Sequence, residues 1–273
     1  MNIENGIVGR KIIDAHTHIG LDCFQKRENL EEIANIPAAR DKFENRIEDF
    51  VVRMNQNGID KSIVFPFPAP GVDIDAANRY ILDSYQQYPN QIIPFVLLDE
   101  NIEYWLKLGV RGFKYHSGLM PIPDISLRHY CQVISEAKVP LMSHISLRHA
   151  SFSTQIDSIL EVAPDMTLLI AHMGRRVPNT GIGVEENLQK VREMENVYFE
   201  TSTVRDVPVL KKAIELLGAD RVIFGSDYPF NSSIDNGNPQ KKELDFILQA
   251  RLPIAQEKMV LVENIEKCLN VKV

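Results

Sequence analysis

The chain has 273 residues, 44% hydrophobic and 25% charged, with a formal net charge of −7 at pH 7. That balance is ordinary for a globular enzyme with a large core, and its sign argues against a phosphate-backbone binder, so nucleic acid is not an expected partner. No apolar run approaches the roughly 20 residues that cross a bilayer, and the opening MNIENGIVGRK lacks a signal-peptide core, so a cytoplasmic protein with no membrane association is expected.

The first apolar run, residues 12–18, reads IIDAHTH and ends in histidines at alternate positions. Side chains alternate across a strand, which puts His16 and His18, with Asp14 before them, on one face and neighbouring imidazoles about 7 Å apart. Two such rings can turn toward one divalent metal. They can equally be polar residues of a strand-to-loop turn, and the short motif alone does not choose.

Seven more strand candidates follow, at 61–67, 92–98, 110–116, 140–145, 167–172, 197–201 and 221–227, most nearly continuously apolar as strands buried on both faces are. Helical periodicity fills the gaps at 44–57, 76–88, 102–108, 126–137, 154–162, 184–194, 207–217 and 241–249, and a last helix spans about 254–269. In the first of these, Ile47, Phe50, Val51 and Met54 form one stripe and Gly58 supplies the stop; Leu210, Ala213, Ile214 and Leu217 repeat the pattern before Gly218.

Eight βα units predict an α/β fold, a (β/α)8 TIM barrel with an additional C-terminal helix. No linker or low-complexity tract divides the chain, so residues 1–273 read as a single domain. An open doubly wound sheet is the alternative, but it usually places a glycine-rich phosphate turn where HTHIGLD stands. The cysteines, Cys23, Cys131 and Cys268, are too few and too scattered for a disulfide framework or thiolate cluster, and Cys23 is expected as a small buried hydrophobe.

Placed on these units, His16 and His18 end the first strand, His116 the fourth, His144 the fifth, His172 the sixth and Asp227 the eighth. In a barrel those ends meet at one mouth, where the active sites of this fold lie. Imidazole and carboxylate together suit a divalent metal.

DAHTH, the strand-end histidines of PLMSH and LLIAH, and FGSDYP together resemble the amidohydrolase superfamily. More narrowly, they resemble its amidohydrolase-related, aminocarboxymuconate semialdehyde decarboxylase-like branch. The similarity runs from Ile12 to the final helix. It implies that His16, His18, His144 and Asp227 hold one divalent metal, zinc by family habit with Mn²⁺ or Fe²⁺ as alternatives. It further implies that His172 and Asp227 are catalytic, moving protons beside the metal, and that Asp14 supports a histidine by hydrogen bond.

Lys114 and His116, in GFKYH, share a strand face. A lysine at this strand end is carboxylated in some relatives and bridges two metals; His116 two residues later favours an unmodified, inward lysine below a substrate-contacting histidine. Arg175 and Arg176, in AHMGRR, stand where many relatives carry a glycine pair, either to bind a substrate carboxylate or as a solvated basic loop. Arg148 and His149 pose the same choice. Residues 21–43 are a candidate lid, and Tyr228 and Asn231 are candidates to reach the same pocket.

The leading expectation is a metal-dependent hydrolase of a small, anionic amide, ester or lactone. Non-oxidative decarboxylation at the same site is the runner-up, and a barrel that binds metal or ligand without turnover is a third reading. A small molecule is the expected partner, and a homo-oligomer stays open.

Overall fold

All eight expected strands form in the computed structural model, which describes residues 10–25, 43–145, 151–232 and 235–270. They are β1 (Ile13–His18), β2 (Lys61–Phe65), β3 (Ile92–Leu97), β4 (Gly112–His116), β5 (Leu141–His144), β6 (Leu168–Ile170), β7 (Val197–Glu200) and β8 (Val222–Ile223). Their order in the sheet is their order in the chain, and each neighbouring pair is parallel. The sheet then closes: Ala15 N donates to Phe224 O at 3.0 Å, Asp227 N to His16 O at 2.8 Å and His18 N to Tyr228 O at 2.7 Å. With both would-be edges paired, the fold is the (β/α)8 barrel and not an open sheet.

Among the described residues, the helices that follow the strands are α1 (Ile47–Asn57), α2 (Ile74–Gln87), α3 (Ile102–Lys107), α4 (Asp124–Glu136), α5 (Phe152–Leu160), α6 (Val184–Lys190), α7 (Val207–Leu217) and α8 (Pro239–Gln249), before a last helical stretch. The stripe read from the sequence is the face α1 buries, and Gly58 ends that helix at φ 69°, a left-handed conformation that costs glycine nothing. α7 starts on Asp206, whose carboxylate accepts from Val209 N at 3.1 Å, with Pro208 in its first turn. The last helix begins as Ile254–Lys258, loosens to π geometry over Met259–Glu263 and resumes as Asn264–Cys268. No helix of the described residues is long and apolar enough to cross a membrane.

Two apolar layers result. One lies between sheet and helices and contains Ile12, Phe113, Phe199 and Phe224; the other fills the barrel with Ile13, Ile63, Phe65, Phe95, Met142 and Tyr198, and is closed from below by Val262, Ile265 and Leu269 of the last helix.

Three departures from the sequence reading bear on the site. The β1–β2 register shifts between Asp14 and Thr17. Ile13 and Ala15 face the interior, but so do His16 and His18, whose rings lie 5.2 and 4.7 Å from that of Phe65. The irregularity inverts the alternation, so Asp14 is not on the histidine face: it points outward to Gln240 of α8 at 2.9 Å and Ser226 Oγ at 2.6 Å. β6 ends at Ile170 because His172, Met173 and Gly174 turn the chain at φ 56°, 52° and 67°. Cys23 is exposed, while Cys131 and Cys268 are buried, because the residues after β1 leave the barrel through a surface turn over Asp22–Phe24.

Candidate active site

At the carboxyl ends of the strands a cleft of about 660 Å³ opens. His18, Lys114, His116, His144, His172 and Asp227 all line it, and His16 lies just beneath, its Nε2 3.3 Å from Asp227 Oδ1. His18 Nε2 is 3.2 Å from that same oxygen. Beside them, His144 Nδ1 and His172 Nε2 are 3.1 Å apart, and His144 stacks on His116 with centroids 4.0 Å apart.

Each inner imidazole is held from behind. His16 Nδ1 contacts Glu200 Oε2 at 2.7 Å, and His18 Nδ1 faces Pro66 O at 3.3 Å. His172 Nδ1 is surrounded by Ser202 Oγ at 2.8 Å, Ser202 O at 3.3 Å and Thr203 Oγ1 at 3.2 Å. In all three rings Nε2 is therefore the atom turned toward the mouth. Burial holds His16, His144 and His172 well below the usual imidazole range, helped by nearby cations and other imidazoles, and lowers His18 as well. They are neutral at pH 7, as metal ligation requires.

The donor set fits a divalent cation. His16, His172 and Asp227 each offer a ligand atom, all within 4.8 Å of one another. The 3.2 and 3.3 Å separations of the His18 and His16 nitrogens from Asp227 Oδ1 match the edge of a tetrahedron with bonds of about 2.0 Å. Asp227 sits at φ 58° and His172 at φ 56°, backbone conformations that branched turns at functional sites tolerate and regular strands do not.

The flanking residues sort sharply. Lys114 points inward, 1% exposed, with Nζ 3.3 Å from His16 Nε2 and 4.7 Å from the Phe65 ring centroid; burial pushes its ammonium down to about 8 against the pull of Asp227 and Glu200. Arg175 lines the cleft, and its Nε and Nη1 are buried with no hydrogen-bond partner among the described residues. Burial works against its charge, and the carboxylates of Asp227, Glu200 and Glu243 offset that. Arg176 is exposed at the rim and pairs with Glu186 at 2.8 Å. His116 contributes its ring to the wall, its Nδ1 accepting from the N–H groups of Gly118 and Leu119 at 3.2 Å.

Tyr228 is not brought to the cleft; its ring packs 5.7 Å from Phe50 on α1. Asn231 donates to Asn179 at 3.1 Å on the exposed surface. Arg148, His149 and residues 26–42 of the candidate lid lie outside the described residues. The end of that segment contributes Phe43, stacked 5.2 Å from Phe67 and 6.0 Å from Phe230, and the latter two form an aromatic wall of the cleft.

Two groups escaped the sequence reading. Glu200 is buried under His16, and Ser202 under His172. A carboxylate closing the otherwise apolar run VYFE was the available signal for the first.

A closed (β/α)8 barrel whose mouth gathers inward imidazoles around one carboxylate is an enzyme scaffold with a candidate metal site. The chain matches the amidohydrolase family model over residues 13–271 and belongs to that family of enzymes. None of the curated protein sequences compared with it matches. Among solved structures it is similar to a Pseudomonas putida protein assigned as a 2-pyrone-4,6-dicarboxylic acid hydrolase, with 15% identity over 96% of this chain and 98% of that one and a TM-score of 0.72. It is also similar to 5-carboxyvanillate decarboxylase from Sphingomonas paucimobilis, with 14% identity, 96% and 99% coverage and a TM-score of 0.71. The Novosphingobium aromaticivorans enzyme of the same name, complexed with manganese and 4-hydroxy-3-methoxy-5-nitrobenzoic acid, gives 17% identity, 96% and 97% coverage and a TM-score of 0.70.

Proposed function

We propose that this protein is a metal-dependent hydrolase of a small, carboxylate-bearing amide, ester or lactone. The observation that carries the reading is the cluster of neutral imidazoles around Asp227 with the guanidinium of Arg175 in the same cleft, whose Nε and Nη1 have no hydrogen-bond partner among the described residues. His16, His18, His144 and Asp227 would hold one divalent cation, Zn²⁺ by donor chemistry and Mn²⁺ by the example of the manganese-bound structural neighbour. The cation supplies Lewis acidity, acidifying water and polarising carbonyl oxygen.

The remaining work falls to the chain. Arg175 binds the substrate carboxylate, gaining the partner it lacks, and Lys114 adds positive charge from the floor of the cleft. Phe67 and Phe230 cover the apolar part of the substrate and keep water from that side. Asp227 accepts the proton of attacking water, and His172, oriented by Ser202, takes that proton on its free ring nitrogen and passes it to the leaving group. The trio of ligand atoms that lie within 4.8 Å of one another contains His172 and neither His18 nor His144; the resemblance gives the ligand place to His144, whose Nδ1 stands 3.1 Å from His172 Nε2.

A second reading, non-oxidative decarboxylation, is favoured by the decarboxylases among the structural neighbours, since the same carboxylate-binding cleft would serve it. The metal-loaded protein, screened with carboxylated lactones, esters, amides and aromatic acids, separates the two. Incorporation of ¹⁸O from water into product supports hydrolysis; release of CO₂ without it supports the lyase; no turnover of any of them defeats both.

A further inference from the structure

Glu200 contributes no atom to the metal-capable trio, yet its carboxylate touches both the strand and the turn that supply the imidazoles of that trio. Oε2 meets His16 Nδ1 at 2.7 Å and accepts from the backbone N–H of His172 at 3.2 Å; Ser202 Oγ donates to it at 2.8 Å, and Ser202 N donates to Oε1. The side chain is fully buried. Room for it comes from the segment just after β8: a Cβ on Gly225 would overlap Oε1 and lie 2.6 Å from Cδ. The glycine of FGSDYP is thus two residues from Asp227 for a steric reason, because any larger residue would push the carboxylate off His16.

Ligation of a metal through Nε2 requires the imidazole proton on Nδ1, and Glu200 Oε2 is the acceptor placed for it. A carboxylate behind a ligand histidine fixes the ring plane and makes the ligand nitrogen more basic. We propose that Glu200 is a positioning residue of the metal centre, which sets the orientation of His16 and ties it to the turn bearing His172. Metal affinity then depends on a side chain 184 residues from His16 in sequence that never meets the metal. A buried carboxylate serving only the packing of β7 would leave metal affinity alone.

The proposal rests on the reading of the mouth as a metal centre, and the test separates the two. Metal-free wild type, Glu200→Gln and Glu200→Asp are titrated with Zn²⁺ against a chromophoric chelator, their metal-free thermal unfolding is recorded, and the visible spectrum of each Co²⁺ form is compared. Glu200→Gln should bind about 10- to 100-fold more weakly, with shifted Co²⁺ bands, while its metal-free form still unfolds cooperatively. Glu200→Asp keeps the carboxyl group but withdraws it from His16, and should fall between wild type and Glu200→Gln. Gly225→Ala, which displaces the carboxylate while leaving every donor in place, should reproduce the loss and decides the matter if Glu200→Gln does not fold. Wild-type Zn²⁺ affinity and Co²⁺ spectrum in a folded variant would overturn the proposal alone. A wild type that takes up no divalent cation overturns the metal reading and this inference with it.

Discussion

At the floor of the barrel the inward positions are Ile13, Ile63, Ile93 and Ile223, sealed by Val262, Ile265 and Leu269; toward the carboxyl ends of the barrel's strands the buried positions include His16, His18, Lys114, His144 and Glu200. The floor buries what water rejects. The mouth buries what water prefers, and each group there meets burial at a cost: imidazoles are held neutral, Glu200 is pushed up to about 8, Lys114 is pulled down to about 8, and Arg175 keeps unpaired nitrogens. His172 and Asp227 add left-handed backbone to that cost. One barrel thus separates its labour along its axis, stability below and chemistry above.

Substitutions should respect that division. The largest effect is expected at His16: His16→Ala should lose the metal, about one divalent cation per chain in protein purified without chelator, and with it turnover, while unfolding stays cooperative. Elemental analysis beside a thermal melt checks this, and a fully loaded variant breaks the comparison. His172→Asn should lower turnover by roughly 10²- to 10⁴-fold with the metal retained, whereas His144→Asn should lose metal. If the outcomes exchange, so do the two roles.

At the floor, Ile265→Ala removes a fully buried side chain that closes the barrel. It should cost about 2–5 kcal/mol in denaturant unfolding and leave metal affinity unchanged. A metal-binding defect there would show that the two ends are coupled.

Asp14 sharpens the boundary, since it lies on the outer side of the strand that carries the histidines. Burial raises its carboxyl from 3.8 to about 6, against the hydrogen bonds of Ser226, Gln240 and His16 N. The folded protein therefore keeps a proton that the unfolded chain releases between those values, so this group's contribution to stability falls as pH rises from about 4 to about 6 and is level above. Relative to Asp14→Asn, which does not titrate, wild type should lose up to roughly 3 kcal/mol across that window, measured by denaturant unfolding at each pH. A pH-independent difference would mean the carboxylate is ionised throughout.

The smallest effects distinguish adjacent arginines. Arg175→Lys should weaken binding of an anionic substrate about tenfold, because one ammonium replaces a buried fork of donors. Arg176→Ala removes an exposed pair with Glu186 and should change KM less than about threefold. Equal losses would move the carboxylate site to the rim.

The barrel itself was legible in the sequence because its signals are local. Apolar runs of strand length, stripes such as Ile47, Phe50, Val51 and Met54, and a stop at Gly58 report secondary structure without knowledge of neighbours, and eight such units admit few topologies. The strand-end histidines and Asp227 were legible for the same reason, since a parallel barrel brings all such ends to one mouth. The tertiary structure decided the rest. The register shift in β1 sends Asp14 outward, and the pairing of residues 224–228 with β1 turns Tyr228 toward Phe50. Burial parts Arg175 from Arg176, and Glu200 stands behind His16 only because β7 and β1 converge inside the closed barrel. Where a side chain points, and what desolvates it, is set by strands far away in the chain, and period-two alternation fails at a bulge.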